Sequence, residues 1–196
     1  MSFMPAFEIG IWNTWIFMAS WMFFHMLPLT WPIFRYDIKA VSRKGSASPP
    51  YNRKERIINN LGTIAWLILL AYSVFLPLPL GTPLLYAGIA LFAVGLIIFE
   101  IAMISFAKTA IDEPVTTGLY RYSRQPVYIG VFVQYIGIGI VSASGLFLLL
   151  TTVSIILSIL TAPAEERFCL EKYGDAYRQY IERTPRWLGL PKSGIR

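Results

Sequence analysis

Five long apolar runs, at positions 9–29, 57–76, 84–106, 127–141 and 146–162, set the limits on how this chain of 196 residues can fold. A helix crossing the hydrocarbon of a bilayer needs about 20 mainly apolar residues, and the first three runs meet that length. The fourth covers roughly 22 Å at about 1.5 Å per residue, so it crosses only by borrowing from its flanking loops. The fourth and fifth runs read as a tight helical hairpin turning at Ser142, Ala143, Ser144 and Gly145, with full crossing preferred to a re-entrant loop. Composition agrees, since 56% of the residues are hydrophobic and 14% charged, against about a quarter charged in a soluble domain. The expected fold is an all-α integral membrane protein of about five transmembrane helices. One membrane domain fills 1–196, with three helices in 1–107 and the hairpin and a short helical tail in 108–196.

Charge supplies the orientation. All 17 Lys and Arg fall in three segments, 35–56, 108–124 and 167–196. The N-terminus, the turn at 77–82 and the turn at 142–145 carry none. Across five spans these segments alternate, so the positive-inside rule places the N-terminus outside and the C-terminus in the cytosol. Topology and anionic headgroups account for the net charge of +6, and no nucleic-acid partner is called for. The first run lacks a preceding basic region and is long enough to span, so it reads as a helix, not a cleaved signal. The single Cys169 permits no intrachain disulfide and has no metal-ligand neighbours; no metal site and no P-loop are expected.

Along the chain, Trp12 and Trp31 suit the two interfaces of the first span, and His25 reads as a packing residue held by a hydrogen bond. The basic loop 33–56 reads as a collar facing the headgroups. Glu100 breaks the third run six residues before Phe106, about 9 Å inside the cytosolic end by helical rise. A carboxylate there must pair, protonate or face a wet cavity. Both a structural pairing with an arginine or tyrosine and a place on a pocket lining remain open.

Two polar stretches flank the hairpin. In 112–130, Gly118 suits a turn and Pro126 the first turn of a helix. Arg124 and Gln125 then lie beside unpaired helix N-terminal amides, an arrangement suited to a carboxylate or phosphate. Tyr120, Tyr122 and Tyr128 either wall a planar ring or anchor the interface. In 165–180, Glu165 and Glu166 stand at the membrane edge, where adjacent carboxylates call for a cationic partner. Gly174 is expected to close one short helix and Asp175 to cap the next, placing Tyr177 and Tyr180 on one face.

The paired motifs G-L-Y-R-Y-S-R-Q-P-V-Y-I-G and E-E-R-F-C-L-E-K-Y-G-D-A-Y-R-Q-Y resemble the isoprenylcysteine carboxyl methyltransferase family, integral membrane S-adenosylmethionine-dependent enzymes. The resemblance covers roughly 114–191; the first three spans match by hydropathy alone. It implies that 108–196 is the cofactor-binding region and that S-adenosylmethionine is the methyl donor. Its contacts would be Asp112, Glu113, Pro114, Val115, Tyr120, Arg124, Gln125, Pro126, Tyr128, Glu165 and Glu166. Two positions depart from the family pattern: Gln125 replaces the usual histidine, and Thr161 stands where eukaryotic members carry a substrate-binding arginine.

The residue chemistry suits that donor. Arg124 and the helix N-terminus can answer its carboxylate, Glu165 or Glu166 its ammonium, and a tyrosine face its adenine or sulfonium. Methyl transfer is an in-line displacement that relies on alignment, and a carboxylate acceptor arrives ionised and needs no base. Arg124 and, for an acceptor that must lose a proton, Glu100 are the candidate catalytic residues. The expected activity is methyl transfer to a lipophilic acceptor at the cytosolic membrane face, above all carboxyl methylation of a prenylated cysteine. Alternatives are phospholipid N-methylation, a reductase of the sterol type and a small transporter. The lipid-tailed acceptor is expected to enter from the bilayer through a crevice between the third span and the hairpin, lined by the Glu100 face, with no obligate protein partner.

Overall fold

The computed structural model of the protein describes residues 8–30 and 49–192. Trp31 and the part of the expected collar at 33–48 lie outside them. Among the described residues the chain is all helical. Its six α-helices are α1 (Trp15–Thr30), α2 (Arg53–Ser73), α3 (Pro83–Lys108), α4 (Pro126–Val141), α5 (Gly145–Tyr173) and α6 (Asp175–Arg183), with a 3-10 turn at Gly118–Arg121.

Local signals explain where these helices begin. Asn52 caps α2 in a capping box, accepting from Glu55 N at 2.9 Å while Glu55 Oε2 accepts from Asn52 N at 2.9 Å. Thr82 accepts from Leu85 N and Pro83 occupies the first turn of α3, where its missing N–H leaves no helical carbonyl unpaired. Ser144 caps α5 through Phe147 N at 3.2 Å, so the α4–α5 hairpin turns at 142–144 as its sequence predicts. On the opposite edge from the basic segments, the chain before α1 is laced to the α2–α3 turn. Asn13 Nδ2 donates to Val74 O at 2.7 Å, and Thr14 N donates to Leu76 O at 2.8 Å.

Among the described residues two helices, α3 and α5, are long and apolar enough to cross a membrane. Only 28% of the apolar window of each is buried inside the protein, so neither is the core helix of a water-soluble fold. Exposed Val94, Ile97, Ile101 and Ile104 on α3 and Leu149, Val153, Ile156 and Leu160 on α5 form apolar stripes that call for lipid.

The seam between α3 and α4 brings backbone against backbone. Gly88 and Gly95 on α3 oppose Gly137 and Gly130 on α4. A Cβ built on Gly95 would stand 2.6 Å from Gln134 N, and one on Gly137 would stand 2.6 Å from Phe92 N. Small residues let two helices meet backbone to backbone in lipid, where close packing rather than the hydrophobic effect holds helices together. This contact closes α3 against α4 from the level of Gly88 to that of Phe99, so the bilayer entry expected on the Glu100 face does not lie along that stretch.

A second difference concerns α5. The acidic stretch after Ala162 continues the same helix as far as Tyr173, through Pro163, instead of forming a separate short helix. Gly174, at φ +55°, is the break, and it stands in the cap position expected of Asp175. Hydropathy ends where the bilayer ends, while Ala164, Glu165, Glu166 and Arg167 remain good helix formers and carry the helix onward.

Candidate functional site

At the basic edge, the 117–125 loop, the last turns of α5, α6 and the strap 184–192 come together. Arg124 N donates to Pro185 O at 3.0 Å, and Gly189 N donates to Tyr122 O at 3.0 Å. Ser123 Oγ donates to Arg186 O at 3.1 Å and accepts from Gln125 N at 2.9 Å. Beneath them, Val115, Tyr120, Tyr177, Tyr180 and Ala102 form an apolar floor. The Tyr180 hydroxyl donates to Tyr120 O at 2.6 Å. Burial, with nearby negative charge, pushes the phenols of Tyr120, Tyr177 and Tyr180 above the ordinary tyrosine value.

The two carboxylates expected at this edge have different partners. The Tyr128 hydroxyl donates to Glu165 Oε1, and the Thr161 side chain also meets that hydroxyl. Glu166 is gripped by Arg186, Nε to Oε1 at 3.0 Å and Nη2 to Oε2 at 2.7 Å. Arg124 Nε lies 3.2 Å from Glu166 Oε1, with the two side chains 9% and 7% exposed. That N–H is not aimed at the carboxylate, and both Nε and Nη1 of Arg124 are buried without a hydrogen-bond partner. Two nitrogens of the Arg124 guanidinium are thus left without a hydrogen bond against Glu166, whose neighbour in α5, Glu165, is held by the Tyr128 hydroxyl.

The other expected residues divide. Gln125 and Pro126 are buried at the head of α4, Gln125 making no side-chain cap. Val115 and Tyr120 belong to the apolar floor, while Asp112 and Glu113 are exposed on the loop and Pro114 is half-buried. Tyr122 is exposed, as an interfacial anchor would be. Thr161 is buried and donates to Ser158 O at 2.9 Å. Glu100 Oε1 is buried with no hydrogen-bond partner. His25 Nδ1 donates to Trp21 O at 2.8 Å and its ring lies 3.8 Å from that of Phe99, a packing role. Among the described residues, no group of three His, Cys, Asp or Glu side chains is arranged to hold a metal ion.

Three participants escape sequence reasoning. Arg186 lies on an irregular strap with no periodic signal. Glu55, at the head of α2, pairs with Arg167 of α5 at 2.7 Å and brings the collar's end to the site. Tyr51, just before it, is half-buried, and its phenol is raised by burial and by the charges of Glu165 and Glu55. The proline pair at 49–50, which turns the chain toward α2, is the signal that could have placed Tyr51 here.

A search of curated proteins finds no match to this chain. Residues 83–176, from the start of α3 to the start of α6, match the model of the phospholipid methyltransferase family. The matched segment holds Arg124, Tyr128, Glu165 and Glu166, and the similarity is to a group of membrane methyltransferases whose methyl donor is S-adenosylmethionine.

Proposed function

We propose that this protein is an S-adenosylmethionine-dependent membrane methyltransferase whose acceptor is the amine headgroup of a phospholipid. The observation that carries the reading is the Arg124 guanidinium, buried with two nitrogens free of hydrogen bonds, against the last turns of α5, where the next carboxylate, Glu165, is held by the Tyr128 hydroxyl. The donor's amino-acid end carries a carboxylate and an ammonium on one carbon. Arg124 would hold the first and Glu165 the second, while Glu166, bonded through both oxygens to Arg186, keeps Arg124 in place by its charge. When bound, S-adenosylmethionine supplies an electrophilic methyl group on a sulfonium. The protein's share is alignment and exclusion of water, which the tyrosine floor and the closed α3–α4 seam provide.

Two observations favour an amine over a prenylcysteine carboxylate. One is the match of residues 83–176 to the phospholipid methyltransferase model. The other is Thr161, buried and bonded within its own helix, so that no cation waits there for a substrate carboxylate. An alkylamine with an ordinary pKa of about 10 arrives protonated and must lose that proton before its nitrogen can attack. Glu100 supplies a buried carboxylate oxygen with no partner. Its neighbour Phe99 abuts Gly130, which places Glu100 at the level of the first turn of α4. Five spans, an outside N-terminus and a cytosolic site complete the proposal.

The test is calorimetric binding of S-adenosylmethionine and S-adenosylhomocysteine to detergent-purified protein, with Arg124→Ala and Glu165→Ala. Methyl-labelled donor is then supplied with phosphatidylethanolamine or a prenylated cysteine. Expected are micromolar binding, weakened at least about tenfold by either substitution, and label in the phospholipid. Absence of binding with lipid present would reject methyl transfer and favour a reductase or carrier. Label in the prenylated cysteine alone would reject the amine.

A further inference from the structure

Against Tyr180 lies a groove of about 320 Å³, at the small end of the usual range for ligand sites. Three segments build it. The loop supplies Thr116 and Arg121, α6 supplies Gln179 and Arg183, and the strap supplies Lys192. No carboxylate lines it. Among the described residues, Arg121, Arg183 and Lys192 form no ion pair.

Exposed cations scattered over a surface are ordinarily just solvated. These three are held on one concave wall by a fixed frame. The Tyr180 hydroxyl ties α6 to Tyr120 O, one residue before Arg121, and Lys192 N donates to Arg183 O at 2.9 Å. Like charges gathered without counterions repel one another, and an anion placed among them relieves that repulsion. Two guanidinium forks with an ammonium, a hydroxyl and an amide match the several oxygens of a phosphate better than they match one carboxylate.

The strap shows where such a phosphate would come from. Leu188 and Leu190, four and two residues before Lys192, are 80% and 83% exposed, and Trp187 packs on Phe132 of α4 at 5.9 Å. An apolar, aromatic-anchored segment at the end of an apolar bundle suits the bilayer interface, where its leucines meet acyl chains and the groove beside them meets headgroups.

We propose that the Arg121–Arg183–Lys192 groove binds the phosphate group of a membrane lipid, as a site separate from that of Arg124 and Glu165. This requires only that the basic edge meet the headgroups, so it stands apart from the methyl-transfer reading.

The experiment titrates dioctanoylphosphatidylglycerol, inorganic phosphate and S-adenosylmethionine, each alone, and the lipid again with inorganic phosphate present, into the full chain in an uncharged detergent. It compares the native protein with Arg121→Gln/Arg183→Gln and with the charge-matched control Lys172→Gln/Arg178→Gln, whose residues lie outside the groove. Affinity for the lipid should fall at least about tenfold in the groove variant, and stay unchanged in the control. Affinity for S-adenosylmethionine, if it binds, should be unchanged in both. Lipid binding that inorganic phosphate does not displace supports a headgroup site; displacement by phosphate supports a site for the phosphate group whatever carries it. Absence of lipid binding to the native protein, equal losses in the two variants, or a parallel loss of S-adenosylmethionine in the groove variant would each overturn the proposal.

Discussion

Arg186 holds both oxygens of Glu166, at 3.0 and 2.7 Å, and so ties the strap after α6 to the last turns of α5. Glu166 in turn neighbours the Arg124 guanidinium, so one carboxylate answers two cations. Removing a buried partner of such a pair costs about 3–5 kcal/mol because the remaining charge stays buried. Glu166→Gln, which leaves both cations, should approach that range. Arg186 is 40% exposed, so Arg186→Ala should cost less, about 1 kcal/mol after screening. Thermal unfolding in detergent would check the order, and a larger loss for Arg186→Ala would contradict it.

Much of this was legible beforehand. The cationic partner expected for the adjacent glutamates is present for Glu166, which has two, whereas Glu165 is held by the Tyr128 hydroxyl. Which cations they are was not legible, because Arg186 is separated from Glu166 by a glycine break, an amphipathic helix and an irregular strap. The continuation of α5 past Ala162 was hidden for another reason: hydropathy records the thickness of the bilayer, while the helix follows backbone propensity to Gly174. The closed α3–α4 seam left a trace that hydropathy ignores, in glycines seven residues apart on both helices at 88, 95, 130 and 137.

The seam makes a sharp prediction. At Gly95 a new methyl group would meet backbone at 2.6 Å, whereas at Gly62 it would meet only Leu157 Cβ at 3.9 Å. Overpacking typically costs about 1–3 kcal/mol. For a chain of this size that is a drop in unfolding temperature of roughly 2–12 °C. Gly95→Ala and Gly137→Ala should both show it, and Gly62→Ala should not. Equal tolerance at all three would mean that the helices do not meet at their backbones.

The tyrosine floor makes the fold sensitive to alkali. Burial raises the phenols of Tyr120, Tyr177 and Tyr180, so the folded chain keeps protons that the unfolded chain releases above about pH 10. Their contribution is complete below that pH and is lost as pH rises beyond it. Absorbance titration should find these phenols silent until the fold gives way. Tyr180→Phe, which strands Tyr120 O, should lower stability at neutral pH by about 1–2 kcal/mol. Early ionisation of all the tyrosines, with the fold intact, would disprove the floor.

Glu100 offers a test that separates chemistry from architecture. Its Oε1 is buried in an apolar helix with no hydrogen-bond partner, an arrangement that costs stability and calls for a functional return. Glu100→Gln keeps the shape, removes the capacity to take a proton, and should leave the unfolding temperature equal or higher. If Glu100 takes the headgroup proton, kcat for phosphatidylethanolamine should fall by about 10²–10⁴. S-adenosylmethionine affinity should not move, because Arg124 and Glu165 are untouched. The pH profile should change as well, with the acidic limb that reports the carboxylate disappearing from the variant. An acceptor that arrives already ionised would show no such loss. An unchanged kcat would therefore remove Glu100 from the mechanism and return the carboxylate acceptor to first place.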